Sequence, residues 1–577
     1  MEKRLLLWVL LSLVILYGYQ AMFPQPKPQP RTPAPQTGPQ TAASPATPSS
    51  QPQAQVPPTT PPASPAEPLV HDSEEREVLV ENADVQAAFT TRGAVLKSWR
   101  LKRYLGPDGR PLDLVPAHVK PDSPKPFALV VGDPESDRTL SQALFKPSAD
   151  SVNTSSTAAR LTFEYSDASG LTARKEFSFA PDQPYVIEFS ASVSKGGKPL
   201  TPTILWGPAL GTGVVSSGMT YAPSSQPIFY RDRDVTRVKF SDVPKHQTVD
   251  GALDFAGVDD HYFLSAALVK GQTATIRYEP VPVSVEGSER GLQFVSWSVT
   301  QPSPSAGPTG ARFFFGPKDF DVLRSVDREL VRAIDFGIFD WLVTPLLRSL
   351  KWVNGYIGNY GWSIVALTVL INLAMFPLRH KSVVSMRRMQ ELQPEMKAIQ
   401  DRYAKLKVSD PARQKMNVEL MNLYRERGVN PASGCVPMLL TMPVLFAFYA
   451  MLSVAIELRG APFIGWIKDL STYDPLFITP ILMGATQFVQ TKMSPATGDP
   501  TQQKMMLFMP LIFMTMFIWA PSGLVLYWTV SNLWAIGQQM LTNRLIGPPQ
   551  PRAVRPPAER RLKTAGGGKS TGAKERK

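Results

Sequence analysis

The side chains best suited to chemistry in this sequence are uncharged and lie inside apolar runs. Thr368 and Asn372 sit four residues apart in YGWSIVALTVLINLAMFPL, residues 360–378. Thr441 falls in the middle of a second apolar run, and Gln487 and Gln490 lie three apart in a third. In a last run Tyr527 pairs with Ser531, and Trp528 with Asn532, each at a spacing of four. Spacings of three and four place two side chains on one face of a helix. None of these groups titrates near neutral pH, so the chemistry open to them is hydrogen bonding and hydration, not bond making. Taken singly, each is plainly read as a hydrogen bond between helices. Taken as a set at mid-span depth, they read as the lining of a wet cavity.

Bond-making chemistry finds little support elsewhere. The five histidines, at 71, 118, 246, 261 and 380, form no HExxH and no paired Cys/His spacing, so no metal is expected. Cys435 is the single cysteine and excludes an internal disulfide. There is no GxSxG nucleophile motif. GGGKS at 566–570 lacks the upstream glycine of a phosphate-binding loop, so neither nucleotide nor cofactor is expected. Asp259 and Asp260 would serve a glycosidase only if two carboxylates converged in a cleft, and solvated loop carboxylates are the plainer reading. The chain is therefore not expected to be an enzyme. A transporter would show inverted repeats or ionisable residues at mid-span, and the spans show neither.

The elements that must hold the polar set are membrane helices. Residues 360–378 number 19 without a charge. They span about 28 Å, close to a hydrocarbon core of about 30 Å. Arg379, His380, Lys381, Arg387 and Arg388 follow, as at the cytoplasmic end of a span. Further apolar runs at 435–456, 475–491, 505–520 and 524–541, with 5–23 near the start, predict six crossings. Prolines 377, 437, 443, 480 and 510 free backbone groups that need water or a neighbour. The segment 379–430 carries 12 Lys/Arg against 6 Asp/Glu, and 551–577 carries 9 against 2. Both flank spans, so the net charge of +13 reads as positive-inside bias plus an anionic partner rather than a nucleic-acid-binding domain.

Composition divides the chain. Residues 1–23 read as an uncleaved signal anchor. Sixteen prolines in 24–68 exclude a packed core and predict a tether. In 69–320, alternating runs at 78–81, 160–165, 173–180, 185–193, 273–278, 292–299 and 311–315 predict antiparallel sheets packed as a sandwich. Residues 321–356 read as connecting and amphipathic helices, one over 320–336 and one over 340–356. The second sets Leu342, Leu346, Leu347, Leu350 and Val353 opposite Arg348 and Lys351. Residues 357–545 form the membrane core, including a helical hairpin in 379–430 that turns near Pro411, and 546–577 form a basic tail. The expected class is a multi-domain membrane protein: an all-β domain, an α-helical bundle with six transmembrane helices in total, and a cytoplasmic helical hairpin.

Short motifs point to a family. They are FFFGPKD (313–319), Met375-Phe376-Pro377-Leu378, Asn430-Pro431 with Gly434-Cys435, Met442-Pro443, ELR (457–459) with APF (461–463), ILMG (481–484), KMSP (492–495), and PSGLVLY (521–527) followed by SNL (531–533). In these the chain resembles the YidC/Oxa family of membrane protein insertases, in the form typical of Gram-negative bacteria. The resemblance implies a periplasmic β-supersandwich, a five-helix membrane core and a cytoplasmic hairpin, in the inner membrane with both termini cytoplasmic. It implies an insertase and chaperone, acting alone or with the Sec translocon, whose hydrophilic groove opens to cytoplasm and lipid and is closed outside. Nascent membrane proteins would be the substrates, their hydrophobic segments entering lipid along the third and fifth spans. The ribosome, met by the basic tail and hairpin, and membrane lipids would be further partners, with no nucleotide. The groove would be lined by Thr368, Asn372, Thr441, Met442, Gln487, Gln490, Tyr527, Trp528, Ser531 and Asn532. The family usually has an arginine where the motif alignment places Asn372, and a glutamine where it places Thr441. The groove is thus expected to offer wetness without a fixed charge.

Overall fold

The computed structural model of the chain describes residues 67–106, 108–116, 119, 123–210, 225–283, 292–301, 309–403, 412–428, 436–493 and 500–546. The expected anchor, nearly all of the linker and the tail beyond residue 546 lie outside them.

Period-two alternation builds the β-domain. Leu171–Phe179 buries every second side chain, as a strand with one inward face must. It pairs antiparallel with Ala159–Asp167 on one side and Val186–Lys195 on the other. Thr309–Pro317, Phe263–Val283, Thr248–Asp259 and Gln226–Arg231 continue this larger sheet. A second sheet runs in the order Pro111–Asp113, Val95–Leu105, Val85–Thr90, Glu77–Glu81 and Ser151–Asn153, with only the last pair parallel. Aromatic rings fasten the two faces. Phe89 meets Phe177 at 4.7 Å between centroids, and Trp99 stacks on Phe315 while its Nε1 donates to the Phe315 carbonyl at 2.8 Å. Trp206 lies at the centre, stacked against Trp297 at 5.2 Å and Phe313 at 5.1 Å. One inward position is a lysine. Lys175 is fully buried, and its Nζ donates to the carbonyls of Gly93, Phe127 and Ala94 at 2.6, 2.7 and 3.2 Å, so its three donors are matched. Burial lowers its pKa to about 7.

Helix α1 (Pro134–Gln142) starts at Asp133, whose carboxylate accepts from the Ser136 amide. Helix α2 (Phe320–Val326) is capped by Asp319, which accepts from the amides of Asp321 and Val322. The single helix expected over 320–336 breaks at Asp327. That residue is extended, and its carboxylate accepts from the Glu329 amide at 2.9 Å, starting a short 3-10 turn at Glu329–Ala333. Helix α3 (Asp340–Ile357) buries Val343, Leu346, Leu347 and Leu350 and exposes Trp341, Trp352 and Tyr356. Lys351, expected on its polar outer face, instead points into a carboxylate cluster: Asp321 at 2.5 Å, Glu457 at 3.2 Å and Asp319 at 3.5 Å.

Helix α4 (Tyr360–Glu391) continues past 378, where the apolar run ends. Basic residues end the apolar run without ending the helix, because nothing in Arg379–Lys381 disfavours helical backbone. The stretch Tyr360–Ser385 is, among the described residues, the one helix long and apolar enough to cross a membrane; Met442–Val454 and Met506–Met516 are shorter apolar segments. Helices α5 (Gln393–Arg402) and α6 (Ala412–Glu426) form a unit of their own. Its seam buries Ile399, Met416 and Leu423, with Met396, Tyr403 and Leu420 alongside. Arg427 pairs with the fully buried carboxylate of Glu395, and Arg402 with Glu419 at 3.2 Å. The hairpin helices are shorter than expected because α4 takes the first dozen residues, and the turn near Pro411 lies outside the described residues.

Helices α7 (Val436–Val454), α8 (Ile478–Met493), α9 (Pro500–Met516) and α10 (Ser522–Ile546) complete the bundle with α4. Their outer faces are apolar and exposed, among them Leu373 on α4, Ile481 on α8 and Phe508, Leu511 and Ile512 on α9. Such a surface suits lipid rather than water.

The β-domain is joined to the bundle through polar contacts. The His261 Nε2 meets the Ser453 carbonyl at 2.7 Å, near the end of α7. Arg459 donates to the Leu105 carbonyl at 3.2 Å and lies over the Phe263 ring. Asp259 accepts from Arg237 and Lys318, each at 3.1 Å, and Asp260 accepts from the amides of Tyr262 and Phe263. Both carboxylates are thus engaged within the β-domain, beside the His261 contact. Burial lowers the His261 pKa to about 4 from an ordinary 6.5, with the Lys318 charge adding to it and Asp259 opposing. The neutral imidazole stabilises the junction fully above about pH 6.5, and that contribution of about 3 kcal/mol is lost as pH falls toward 4. Burial raises the Asp260 carboxyl, which acts in the opposite direction. Protection factors for hydrogen exchange at 260–263, corrected for the intrinsic pH dependence of exchange, should therefore fall between pH 6.5 and 4.5 by more in the native chain than in His261→Gln; equal pH responses would refute the assignment.

Candidate functional site

A cavity of about 230 Å³ opens among α4, α7, α8 and α10. Its lining brings together Thr368 and Asn372 from α4, Gln487 and Gln490 from α8, and Tyr527, Trp528, Ser531 and Asn532 from α10. The sequence spacing explains this, since each pair repeats at one helical turn and shares a face. Val444, Leu445 and Phe448 of α7 supply an apolar wall. Met442 is not part of the lining. Thr441 lies within α7, but its side chain falls outside what is described.

The polar groups are held in different ways. The Thr368 hydroxyl donates to the Ile364 carbonyl at 2.6 Å, within its own helix. Asn532 Nδ2 reaches the Met483 carbonyl and the Thr486 hydroxyl, both at 3.3 Å, and so bonds α10 to α8. Asn372 is 4% exposed; its Nδ2 donates to the Thr368 carbonyl at 2.8 Å. Its Oδ1 accepts from Arg379 Nη1 at 2.7 Å. Arg379 also lines the cavity and is, among the described residues, the one charged residue in that lining. The expectation of a groove without fixed charge is corrected at this point. The signal was present in the sequence, because positions 372 and 379 are seven apart and face the same way, but the arginine reads there only as a marker of cytoplasmic orientation.

Polar character extends beyond the cavity. Along α10, Trp534, Gln538 and Thr542 repeat every four residues and each carries a buried polar atom without a hydrogen-bond partner among the described residues, as does Gln487 on α8. Buried polar atoms of this kind call for water.

The opposite end is apolar. Ile364 and Leu367 on α4, Met451 and Leu452 on α7, and Leu524 and Val525 on α10 are buried within one apolar cluster. Phe448 stacks on the Tyr527 ring at 4.3 Å between the two regions. The connection after α7 seats on this layer. A Cβ on Gly361 would lie 2.1 Å from the Phe463 ring, so only glycine lets that loop come so close. The amides of Gly523 and Ser522 donate to the carbonyls of Leu470 and Thr472.

The chain matches two family models: the YidC periplasmic domain over residues 77–349 and the 60Kd inner membrane protein over residues 352–548. The membrane protein insertase YidC of Geobacter metallireducens is 36% identical over 559 residues, covering 95% of this chain and 99% of that protein. The membrane protein insertase YidC of Syntrophus aciditrophicus is 37% identical over 492 residues, covering 83% of this chain and 86% of that protein. A solved structure of an active YidC insertase with its first transmembrane domain resolved aligns at 18% identity with a TM-score of 0.34, covering 82% of this chain and 94% of that one.

Proposed function

Because this chain belongs to the YidC family of membrane protein insertases, we propose that the cavity among α4, α7, α8 and α10 is the hydrated groove that receives the polar part of a nascent membrane protein. The observation that carries this reading is the convergence of eight uncharged side chains that each carry a polar atom, and one arginine, on one space inside an otherwise apolar bundle. Polar side chains there lower the barrier for a hydrophilic segment, while the apolar α7 wall and the exposed apolar face of α9 offer the hydrophobic segment a way into lipid. Partitioning into lipid supplies the work, so no nucleotide is needed.

The groove opens toward the end where α4 leaves the membrane and where basic residues collect, which is the cytoplasmic side. The β-domain then lies in the periplasm, the α5–α6 hairpin in the cytoplasm, and six spans cross the membrane. The Sec translocon and the ribosome are proposed partners, the latter through the hairpin and the basic tail.

With Cys435→Ser as background, Asn372→Cys, Gln487→Cys and Ser531→Cys should each react with a polar maleimide added from the cytoplasmic side, and react more slowly while a stalled nascent chain occupies the groove. Silence at all three positions would remove the hydrated groove and leave these residues as glue between helices. Depleting the chain should, in parallel, lower insertion of small single- and double-span proteins.

A further inference from the structure

We infer that the outward face of α3 carries a binding site for a phospholipid headgroup of the periplasmic leaflet, with Arg348 as the residue that takes the phosphate. The inference goes beyond the groove: it needs α7 to cross the bilayer but not the cavity to be hydrated. By sequence the leucine face of α3 is the one expected to meet lipid. The structure instead turns Val343, Leu346, Leu347 and Leu350 into the protein and leaves a different stripe outside. Trp341, Arg348, Trp352 and Tyr356 follow one another at intervals of seven, four and four, so they share that outer face. The three aromatic residues are 71%, 63% and 76% exposed. Rings so exposed suit the boundary between acyl chains and headgroups, which meets an apolar body and a polar tip together. Exposed Trp362, Trp466 and Trp519 continue the belt at the same end of the bundle.

Two contacts set the depth of the stripe. Phe339, just before α3, stacks on Phe446 within α7 at 5.8 Å, and Lys351 meets Glu457, three residues past the end of α7, at 3.2 Å. The contacts run in the same order along both helices, so α3 lies beside the outer half of α7 rather than across it. Arg348, one turn before Lys351, is therefore level with the end of α7, the depth of the phosphates. Trp341 lies on the acyl side of it and Tyr356 on the water side. The Arg348 guanidinium sits over the Phe320 ring at 5.2 Å, which holds one flat face and leaves the edges of the fork open. It enters no ion pair among the described residues, and the carboxylates of the neighbouring elements are engaged: Asp319, Asp321 and Glu457 by Lys351, and Asp340 by the Thr344 hydroxyl. Arg324, exposed one turn beyond Phe320 on α2, enters none either. Topology does not explain these cations, because the positive-inside bias collects charge on the other side. An open guanidinium edge pairs with two phosphodiester oxygens at once, and the flanking rings at that depth make the occupant a lipid.

The test places the full-length chain in vesicles of phosphatidylethanolamine and phosphatidylglycerol, doped with a phospholipid whose headgroup carries a photoactivated diazirine. Cross-linked peptides are then mapped after digestion. Peptides within 320–356 should be labelled in the native chain, and Arg348→Gln should lower that labelling about fivefold. Arg348→Lys, which keeps the charge but not the fork, should retain part of it. Because Arg348 is exposed, both variants should keep the native unfolding temperature. A glycolipid bearing the same diazirine but no phosphate should label the native chain no better than the phospholipid labels Arg348→Gln. An excess of inorganic phosphate should leave labelling unchanged; if it abolishes labelling, the occupant is a soluble phosphate and the lipid assignment is overturned. Equal labelling of the native chain and Arg348→Gln, or equal labelling by the two lipids, overturns the role of Arg348. Absence of label from 320–356 in the native chain removes α3 from the bilayer surface and the site with it, whereas the groove is judged separately by its maleimide reactions.

Discussion

Lys351→Ala should destabilise the region where α2, α3 and the loop after α7 meet by about 3–5 kcal/mol, the range for breaking a buried ion pair from one side. The lysine is 25% exposed and Glu457 only 6%, with Asp319 at 18%. Burial alone would lower the pKa of the ammonium, but the Asp321 hydrogen bond and the Glu457 and Asp319 charges raise it well above the ordinary lysine value, so it stays charged. Removing it leaves two poorly hydrated carboxylates facing each other without a cation. Lys351→Ala combined with Glu457→Gln should recover most of the loss, since the double change removes the stranded charge as well. Thermal unfolding in detergent, followed by cysteine accessibility at Leu458→Cys, measures both. A double variant no better than the single one would mean that packing rather than charge dominates.

The second large effect lies in the β-domain. Trp206→Ala removes a fully buried ring that touches Trp297, Phe313, Phe127 and Phe315, and should cost about 3–5 kcal/mol. Trp206→Phe should cost far less. The indole Nε1 has no hydrogen-bond partner among the described residues, so the phenyl ring gives up volume but none of these as a polar partner. Proteolysis of the β-domain in spheroplasts should rank the native chain, Trp206→Phe and Trp206→Ala in that order. If the groove performs insertion, insertion per molecule of membrane-embedded chain should survive Trp206→Ala even as the β-domain becomes protease-sensitive. Parallel loss of both would give the β-domain a direct part in insertion, through its junction at His261 and Arg459.

Much of this architecture was legible because two periodicities are hard to mistake. Leu171–Phe179 alternates strictly, and the pairs at 368 and 372 or 528 and 532 repeat at one helical turn. What alternation could not reveal is a polar residue satisfied at an inward position. Lys175 sits where an apolar side chain is expected, and only the three backbone carbonyls brought together by tertiary structure make it tolerable there. Lys351 misled for a related reason. A helical wheel assigns a charged residue to solvent, whereas its partners come from Asp319, Asp321 and Glu457, the last more than a hundred residues away. Arg379 was legible as a charge but not as part of the site, because a seven-residue relation matters only once the side chain is seen to turn back along its helix. The break at Asp327 was hidden by an apolar pattern that continues through it, while the carboxylate's bond to the Glu329 amide decides the backbone.

The apolar layer at the closed end of the cavity has an electrical consequence. On α4 it occupies about seven residues before Thr368, which is about 10 Å of helix. If the proposed groove holds water open to the cytoplasm, that water carries the cytoplasmic voltage inward to the layer, and the drop normally spread over about 30 Å falls across about a third of the distance. The local field is then about three times stronger, while the work of moving one charge the whole way stays about 2.3 kcal/mol per 100 mV. A bacterial membrane at working polarity drives negative charge outward. On the proposed function, an acidic segment in the groove would therefore meet nearly the whole driving force in its last short step. Because Ile364, Leu367, Met451, Leu452, Leu524 and Val525 pack as one buried apolar cluster, a hydrated groove ending on them should focus voltage without passing ionic current.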